Sequence, residues 1–174
     1  EEAIRKRNAY AIDVMEFIGI KNFKFYNLPC GRLDEIPIIE INKIIEKNIN
    51  EYSPDAVFTH SLSDCNNDHK IIYNSSLMAT RPVPKNKVIN LYSFEILTSS
   101  EWNFENQFQP NYFLKLDDDD LKMKIDTINM YKSEIKEYPF PRSSEGIKTL
   151  AMFRGMQVGV KYAEAFKLIR QTIL

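Results

Sequence analysis

Residues 54–69 constrain the fold of this chain more than any other segment. A short apolar run at 56–58 lies between Pro54-Asp55 and Thr59-His60, and a polar stretch then continues to His69. An apolar run of this length, closed by polar residues, predicts a buried parallel strand over 54–60 that opens onto a loop. A helical pattern follows over 68–80. Strand, loop and helix in this order form the repeating unit of α/β proteins.

The hydrophobic spacing elsewhere completes an alternation of helices and strands. It predicts helices over 2–18, 37–49, 118–136 and 144–172, the last interrupted near Gly155 or Gly159, and strands over 22–28, 88–96 and 112–116. This alternation predicts a single α/β domain over 1–174, a sandwich with a mostly parallel sheet. In such sheets, ligands bind outside the carboxyl ends of the strands, where the loop after residue 60 lies.

Composition excludes several classes of function. The 23 Lys and Arg residues are interspersed with 24 Asp and Glu residues, whereas a nucleic-acid binder needs a clustered cationic face. No stretch approaches the roughly 18 apolar residues of a membrane span. Two cysteines without a CxxC pair favour a reducing compartment, so we expect a cytoplasmic protein. The oligomeric state is left open, and a homo-oligomer is compatible with the sequence.

Both histidines of the chain, His60 and His69, lie in this polar stretch. Imidazole and carboxylate groups are common zinc ligands, and a catalytic zinc takes about three of them while leaving a position open for water. A histidine at a strand end and one in the first turn of a helix could therefore share a pocket. The alternative is a polar loop in which Asp or Asn caps the helix and both histidines are exposed.

Two other segments allow a functional and a structural interpretation. The run Asp117–Asp120 could hold Mg²⁺, as in a metal-dependent glycosyltransferase, but acidic residues also cap helices. Capping is favoured because a helical apolar stripe begins at Leu121. The aromatic segment 102–113 could line a sugar pocket, and core packing explains it equally well.

The segment 54–69 resembles the second signature of the LmbE-like, or PIG-L, zinc-dependent de-N-acetylases. That signature is a P-D-x-V strand followed by T-H, a spaced Asp and H-x-D-H or N-x-D-H. Residues 7–19 resemble the family's R-x-x-E helix that ends in Leu-Gly. Residues 154–155 and 162–166 resemble its closing R-G and Y-A-E-A-F patterns. The matches span most of the chain in the family's order.

The resemblance implies a Rossmann-like three-layer sandwich with one catalytic Zn²⁺ at its strand ends. It further implies hydrolysis of the N-acetyl group of an amino sugar or sugar conjugate. The site residues carried over are His69 as zinc ligand, Asp68, Asn66 and His60 as catalytic residues, and Asp64 and Arg7 as substrate-binding residues. Asn66 stands where many members have a histidine, and an amide donates a hydrogen bond but not a proton. We expect the five loop residues to meet in one cleft, with Arg7 at its rim.

One family signature, H-P-D-D-E, does not occur in the sequence, and Tyr10 replaces the first-helix Glu. In the family, H-P-D-D-E supplies the other zinc ligands and the general base. We therefore expect these groups upstream of residue 1, on a strand-helix-strand unit that this chain lacks. The alternative hypothesis is a catalytically inactive sugar-binding or partner-binding domain with the same fold.

Overall fold

A computed structural model of the protein describes residues 2–83 and 88–173. The elements in chain order are α1 (Glu2–Phe17), α2 (Ile38–Tyr52), β1 (Ala56–Thr59), α3 (Asn67–Ala79), β2 (Asn90–Phe94), β3 (Tyr112–Leu116), α4 (Asp118–Asn129), α5 (Ser144–Met156) and β4 (Tyr162–Gln171). A 3₁₀ turn at Leu33–Glu35 precedes α2. The α/β class is confirmed. Every helix within the described ranges is too short or too polar to cross a membrane.

The chain divides into two compact units. The first comprises residues 2–28 and 114–164, and the second comprises residues 29–83, 88–113 and 165–173. Both histidines and all the polar loop residues that follow β1 belong to the second unit.

The sheet has the strand order β1-β2-β4-β3. Strands β1 and β2 are parallel, with Thr59 opposite Ser93. Strand β4 runs antiparallel to β2, with Phe94 opposite Phe166, and the register shifts between Leu91 and Tyr92. The sheet is therefore mixed, and the predicted mostly parallel sheet is wrong.

The cause of that difference is β4, which replaces the second half of the predicted helix over 144–172. Helix α5 ends at Met156, and the chain reverses through Gly159, whose φ of +74° favours glycine. A Cβ on Gly155 would lie 2.6 Å from the carbonyl oxygen of Val160, so only glycine permits this close reversal. Pairing of β4 with β2 then overrides the helix propensity of the Ala and Glu residues at its start.

In the second unit, an apolar cluster lies on the side of β1 that faces α2 and α3. Its members are Ile45, Ile49, Val57, Ala79 and Val88. The opposite side of β1 carries Phe58, which stacks on Tyr92 at 4.8 Å between ring centroids and remains 51% exposed. The prediction that this strand is buried therefore holds for one face only.

The first unit has its own apolar cluster, formed by Leu116, Leu121, Ile125, Ala151 and Tyr162. Helix α4 ends at Asn129, earlier than the predicted residue 136. The predicted strand over 22–28 is wrong, because this segment is irregular and its aromatic side chains are exposed. Asn27 has a φ of +51°, which interrupts an extended backbone.

The acidic run before α4 has the predicted capping role. The Asp117 carboxylate accepts a hydrogen bond from the Asp120 N–H at 2.8 Å, and the Asp120 carboxylate accepts one from the Asp117 N–H at 3.0 Å. This reciprocal pair is a capping box, which satisfies two N–H groups at the helix start. Asp118 pairs with Lys161.

Candidate active site

The carboxyl end of β1 and the start of α3 place the two histidines together. The Thr59 hydroxyl is 2.8 Å from the Ser76 hydroxyl, which joins the end of β1 to the last turn of α3. His60 follows the strand directly, and His69 is the third residue of α3. Their rings stack with centroids 3.9 Å apart and planes 4° apart.

These imidazoles are partly buried, and the Nδ1 atoms of both lack a hydrogen-bond partner among the described residues. Burial, together with the nearby His69, lowers the pKa of His60 to about 4, and Asp64 opposes this shift. The His60 ring also lies 5.1 Å from the ring of Phe94. His60 is therefore neutral at pH 7, which is the form in which imidazole binds a metal.

Asp64 is fully buried beside this histidine pair. One carboxylate oxygen accepts hydrogen bonds from the Ser99 hydroxyl at 2.8 Å and the Ser100 hydroxyl at 3.0 Å. The same oxygen lies 3.1 Å from Nδ1 of His69, an ion-pair distance at which the N–H direction falls short of hydrogen-bond geometry. The other oxygen accepts the Asn66 N–H at 2.8 Å.

These contacts explain the ionisation of Asp64. Burial alone would raise the pKa of this carboxyl group, but the contact with His69 and the donors from Asn66 and Ser99 outweigh burial. They lower the pKa to about 2. The site therefore holds a carboxylate at neutral pH, surrounded by fixed donors.

Asn66 and Asp68 occupy the beginning of α3. Asn66 is the N-cap residue, and its side-chain oxygen accepts the Asp68 N–H at 2.9 Å. The Asp68 carboxylate accepts the N–H of Gly31 at 2.5 Å and the N–H of Leu33 at 3.0 Å. Asp68 thus tethers the segment before α2 to α3, and its catalytic role stays a prediction.

The structure brings together His60, Asp64 and His69, with Asn66 bound to Asp64 through its backbone. The His69 side chain is 20% exposed, so the ring is not turned out into solvent. Arg7 lies on α1 in the first unit, and its role at the site stays a prediction. The roles assigned to the loop residues also stay predictions.

Sequence reasoning missed Ser99 and Ser100, which lie in the loop after β2. They bind Asp64 across separations of 35 and 36 residues. No motif marks them, and their position after a predicted strand was the one signal available. The parallel pairing of β1 with β2 brings the two loops to the same edge of the sheet.

A cavity of about 140 Å³ begins in the same loop. Hydroxyl, amide and amine groups dominate its lining, which comprises Ser61, Leu62, Ser63, Tyr73, Ser93, Asn106, Gln107, Phe108, Gln109 and Lys167. Phe108 lines this cavity, whereas Trp102 and Phe104 are exposed. The aromatic segment therefore contributes one ring to a polar pocket.

The residues present fit part of a zinc site. Across residues 2–83 and 88–173, no group of three or more His, Cys, Asp or Glu side chains is placed to hold a metal ion. Imidazoles with buried nitrogens that make no hydrogen bond to a described residue are nevertheless suitable zinc donors, and a buried carboxylate beside a ligating histidine is a common arrangement. His69 fits a zinc ligand and Asp64 its supporting carboxylate.

Several solved structures share this fold. The conserved protein TT1542 from Thermus thermophilus has 18% sequence identity and a TM-score of 0.75, over 98% of this chain and 76% of that chain. The N,N′-diacetylchitobiose deacetylase from Pyrococcus horikoshii has 19% identity and a TM-score of 0.74, over 95% of this chain and 64% of its own. The 4-carboxy-2-hydroxymuconate hydratase from Pseudomonas putida has 17% identity and a TM-score of 0.68, over 98% of this chain and 73% of its own. The chain therefore shares the α/β fold of these three structures.

The family model of PIG-L, described as GlcNAc-PI de-N-acetylase, matches residues 1–80. These residues include β1, the polar loop and α3. Among curated protein sequences, none matches this chain significantly. The predicted resemblance to the LmbE-like, or PIG-L, family is confirmed over residues 1–80.

Proposed function

We propose that this protein is a zinc-dependent hydrolase that removes the N-acetyl group from an amino sugar or sugar conjugate. The observation that carries the proposal is the stacked pair His60 and His69 beside the buried Asp64, within the segment matched by the PIG-L family model. Two stacked imidazoles, next to a fixed carboxylate at a strand end, suit a hydrolytic metal site.

In this proposal, His69 is one zinc ligand, and the remaining ligands and the general base come from a segment upstream of residue 1. Bound zinc would polarise the amide carbonyl and lower the pKa of a water molecule. The His60 ring stacks on one face of the His69 ring and excludes water from that face. Asn66 keeps a side-chain N–H₂ group that makes no hydrogen bond to the described residues, so it can donate to the developing oxyanion.

Substrate recognition is assigned to polar groups around the loop. The cavity of about 140 Å³ that includes Ser61 and Ser63 offers hydroxyl and amide groups, which suit sugar hydroxyls. Arg7 would contact an anionic part of the substrate, such as the phosphate of GlcNAc-PI. That substrate class follows from the family description, and N,N′-diacetylchitobiose follows from the deacetylase with the same fold.

A second candidate function is a catalytically inactive sugar-binding or partner-binding domain. It is favoured by the observation that residues 2–83 and 88–173 hold no cluster of three metal-ligating side chains. This candidate predicts sugar binding without turnover. The two hypotheses therefore differ in the release of acetate.

The test is acetate release by the intact natural protein with zinc added. The substrates are N-acetylglucosamine, N,N′-diacetylchitobiose and GlcNAc-PI, and glucosamine products are measured in parallel. We expect equal amounts of acetate and free amine from at least one substrate, and none after chelation. Binding of a sugar without any acetate release would reject the hydrolase and support the binding domain.

A further inference from the structure

We propose that Asp64, rather than Asp68, is the positioning residue for His69, and that Ser99 and Ser100 hold Asp64 in place. The catalytic consequence of this inference rests on the proposed function, whereas the geometry does not. The two carboxylates are close in sequence, and both are near enough to α3 to be candidates. The hydrogen-bond partners of the two carboxylates show which of them can position His69.

Asp68 is committed to the backbone of another segment. Its Oδ2 atom accepts the N–H of Gly31, and its Oδ1 atom accepts the N–H of Leu33. A carboxylate that holds two backbone donors has little freedom to follow an imidazole ring. Its effect on the fold is to fix the 3₁₀ turn beside α3.

Asp64 faces His69 directly. Its Oδ2 atom lies 3.1 Å from Nδ1 of His69, and this Nδ1 atom is buried with no hydrogen bond to any described group. Asp64 itself is fully buried and accepts the Asn66 N–H with its second oxygen. A slight rotation of the imidazole would align the N–H with this carboxylate.

Two serine hydroxyls fix the position of Asp64, and their own loop is closed by hydrogen bonds. The Ser100 hydroxyl accepts the Ile96 N–H at 2.7 Å, which leaves its proton for Asp64. The Glu101 carboxylate accepts the N–H groups of Thr98 and Ser99 at 2.7 and 3.1 Å. These hydrogen bonds within the loop after β2 therefore fix the positions of the two serine hydroxyls that bind Asp64.

The consequence concerns which nitrogen of His69 carries the proton. A carboxylate opposite Nδ1 stabilises the tautomer with hydrogen on Nδ1, and this leaves Nε2 with a free lone pair. That lone pair is what a zinc ion or another electrophile requires. In an enzyme triad, replacing the corresponding carboxylate with an amide gives the wrong tautomer while keeping the geometry.

The experiment is ¹⁵N nuclear magnetic resonance of the histidine rings in the metal-free intact protein. It is recorded near pH 8.5, about two units above the ordinary histidine pKa of about 6.5. In the unchanged protein, we expect His69 to carry its proton predominantly on Nδ1. Asp64→Asn should move most of the proton to Nε2, and Asp68→Asn, a matched amide substitution, should leave it on Nδ1. Zinc affinity of Asp64→Asn should fall about 10-fold to 100-fold.

The inference is overturned if Asp64→Asn keeps the Nδ1 proton, or if Asp68→Asn displaces it equally. If Asp64→Asn does not fold, Ser99→Ala with Ser100→Ala replaces it, and an unchanged tautomer in that double variant also overturns the inference. The tautomer is measured without metal or substrate. Absence of acetate release would therefore reject the proposed function separately and leave this result standing.

Discussion

His60 should make the stability of the metal-free protein depend on pH in a specific window. Its pKa is about 4 in the folded chain because of burial and the adjacent His69 ring, against an ordinary value of 6.5. The unfolded chain therefore binds this proton at a higher pH than the folded chain does. Consequently, the free energy of unfolding falls as the pH drops from about 6.5 to about 4.

The size of this effect follows from the difference between the two pKa values. At about 1.4 kcal/mol for each pKa unit, His60 removes about 3 kcal/mol of stability between pH 7.5 and pH 4. Asp64 acts at lower pH. Its pKa is about 2 in the folded chain against an ordinary value of 3.8, so stability is lost as the pH drops from about 3.8 to about 2. The two contributions therefore separate by pH.

The assay is urea unfolding of the metal-free protein and of His60→Gln, followed by tryptophan fluorescence. Trp102 is the one tryptophan of the sequence, and it belongs to the same unit as His60. Other acidic groups affect both proteins alike, so the difference between the two curves isolates His60. The stability advantage of the unchanged protein over the variant should decrease by about 3 kcal/mol from pH 7.5 to pH 4. An advantage that stays constant across this range would refute the reasoning.

Three further predictions concern the fold and are measured by urea unfolding. Asp117→Ala should cost about 1 kcal/mol because it removes the capping box, whereas Asp119→Ala should cost less; equal losses would contradict the capping role. Gly155→Ala should cost about 2 kcal/mol or more, since its Cβ would lie 2.6 Å from a backbone carbonyl oxygen, and a neutral result would contradict the tight reversal. Ile41→Ala should cost about 2–5 kcal/mol at a side chain that is 1% exposed, against about 0.5 kcal/mol or less for Ile38→Ala at 47% exposure.

Local patterns in the sequence were sufficient for the segment that forms the site. The apolar run before His60 and the Asn and Asp residues before α3 specify a strand and a capped helix without reference to the rest of the chain. The predicted strand over 112–116 and the capping by Asp117 were also confirmed, because both depend on neighbouring residues.

The features that the sequence did not predict depend on distant partners. Strand β4 begins with residues that favour a helix in isolation, and its pairing with β2 decides the outcome. The same holds for the carboxylates of the loop. The family resemblance assigned a catalytic role to Asp68 by position, whereas the contacts of Gly31 and Leu33 with Asp68, and of Ser99 with Asp64, exist only after folding.

Acetate release by a matched pair of variants tests the central claim most directly. His69→Gln removes the proposed zinc ligand at the third residue of α3, whereas Asn74→Gln makes a similar change at an exposed position of the same helix. In the intact natural protein with zinc, we expect Asn74→Gln to release acetate from an N-acetylated sugar at the rate of the unchanged protein. His69→Gln should release none while unfolding at a similar urea concentration. Full activity in His69→Gln would contradict the assignment of this loop as a de-N-acetylase site.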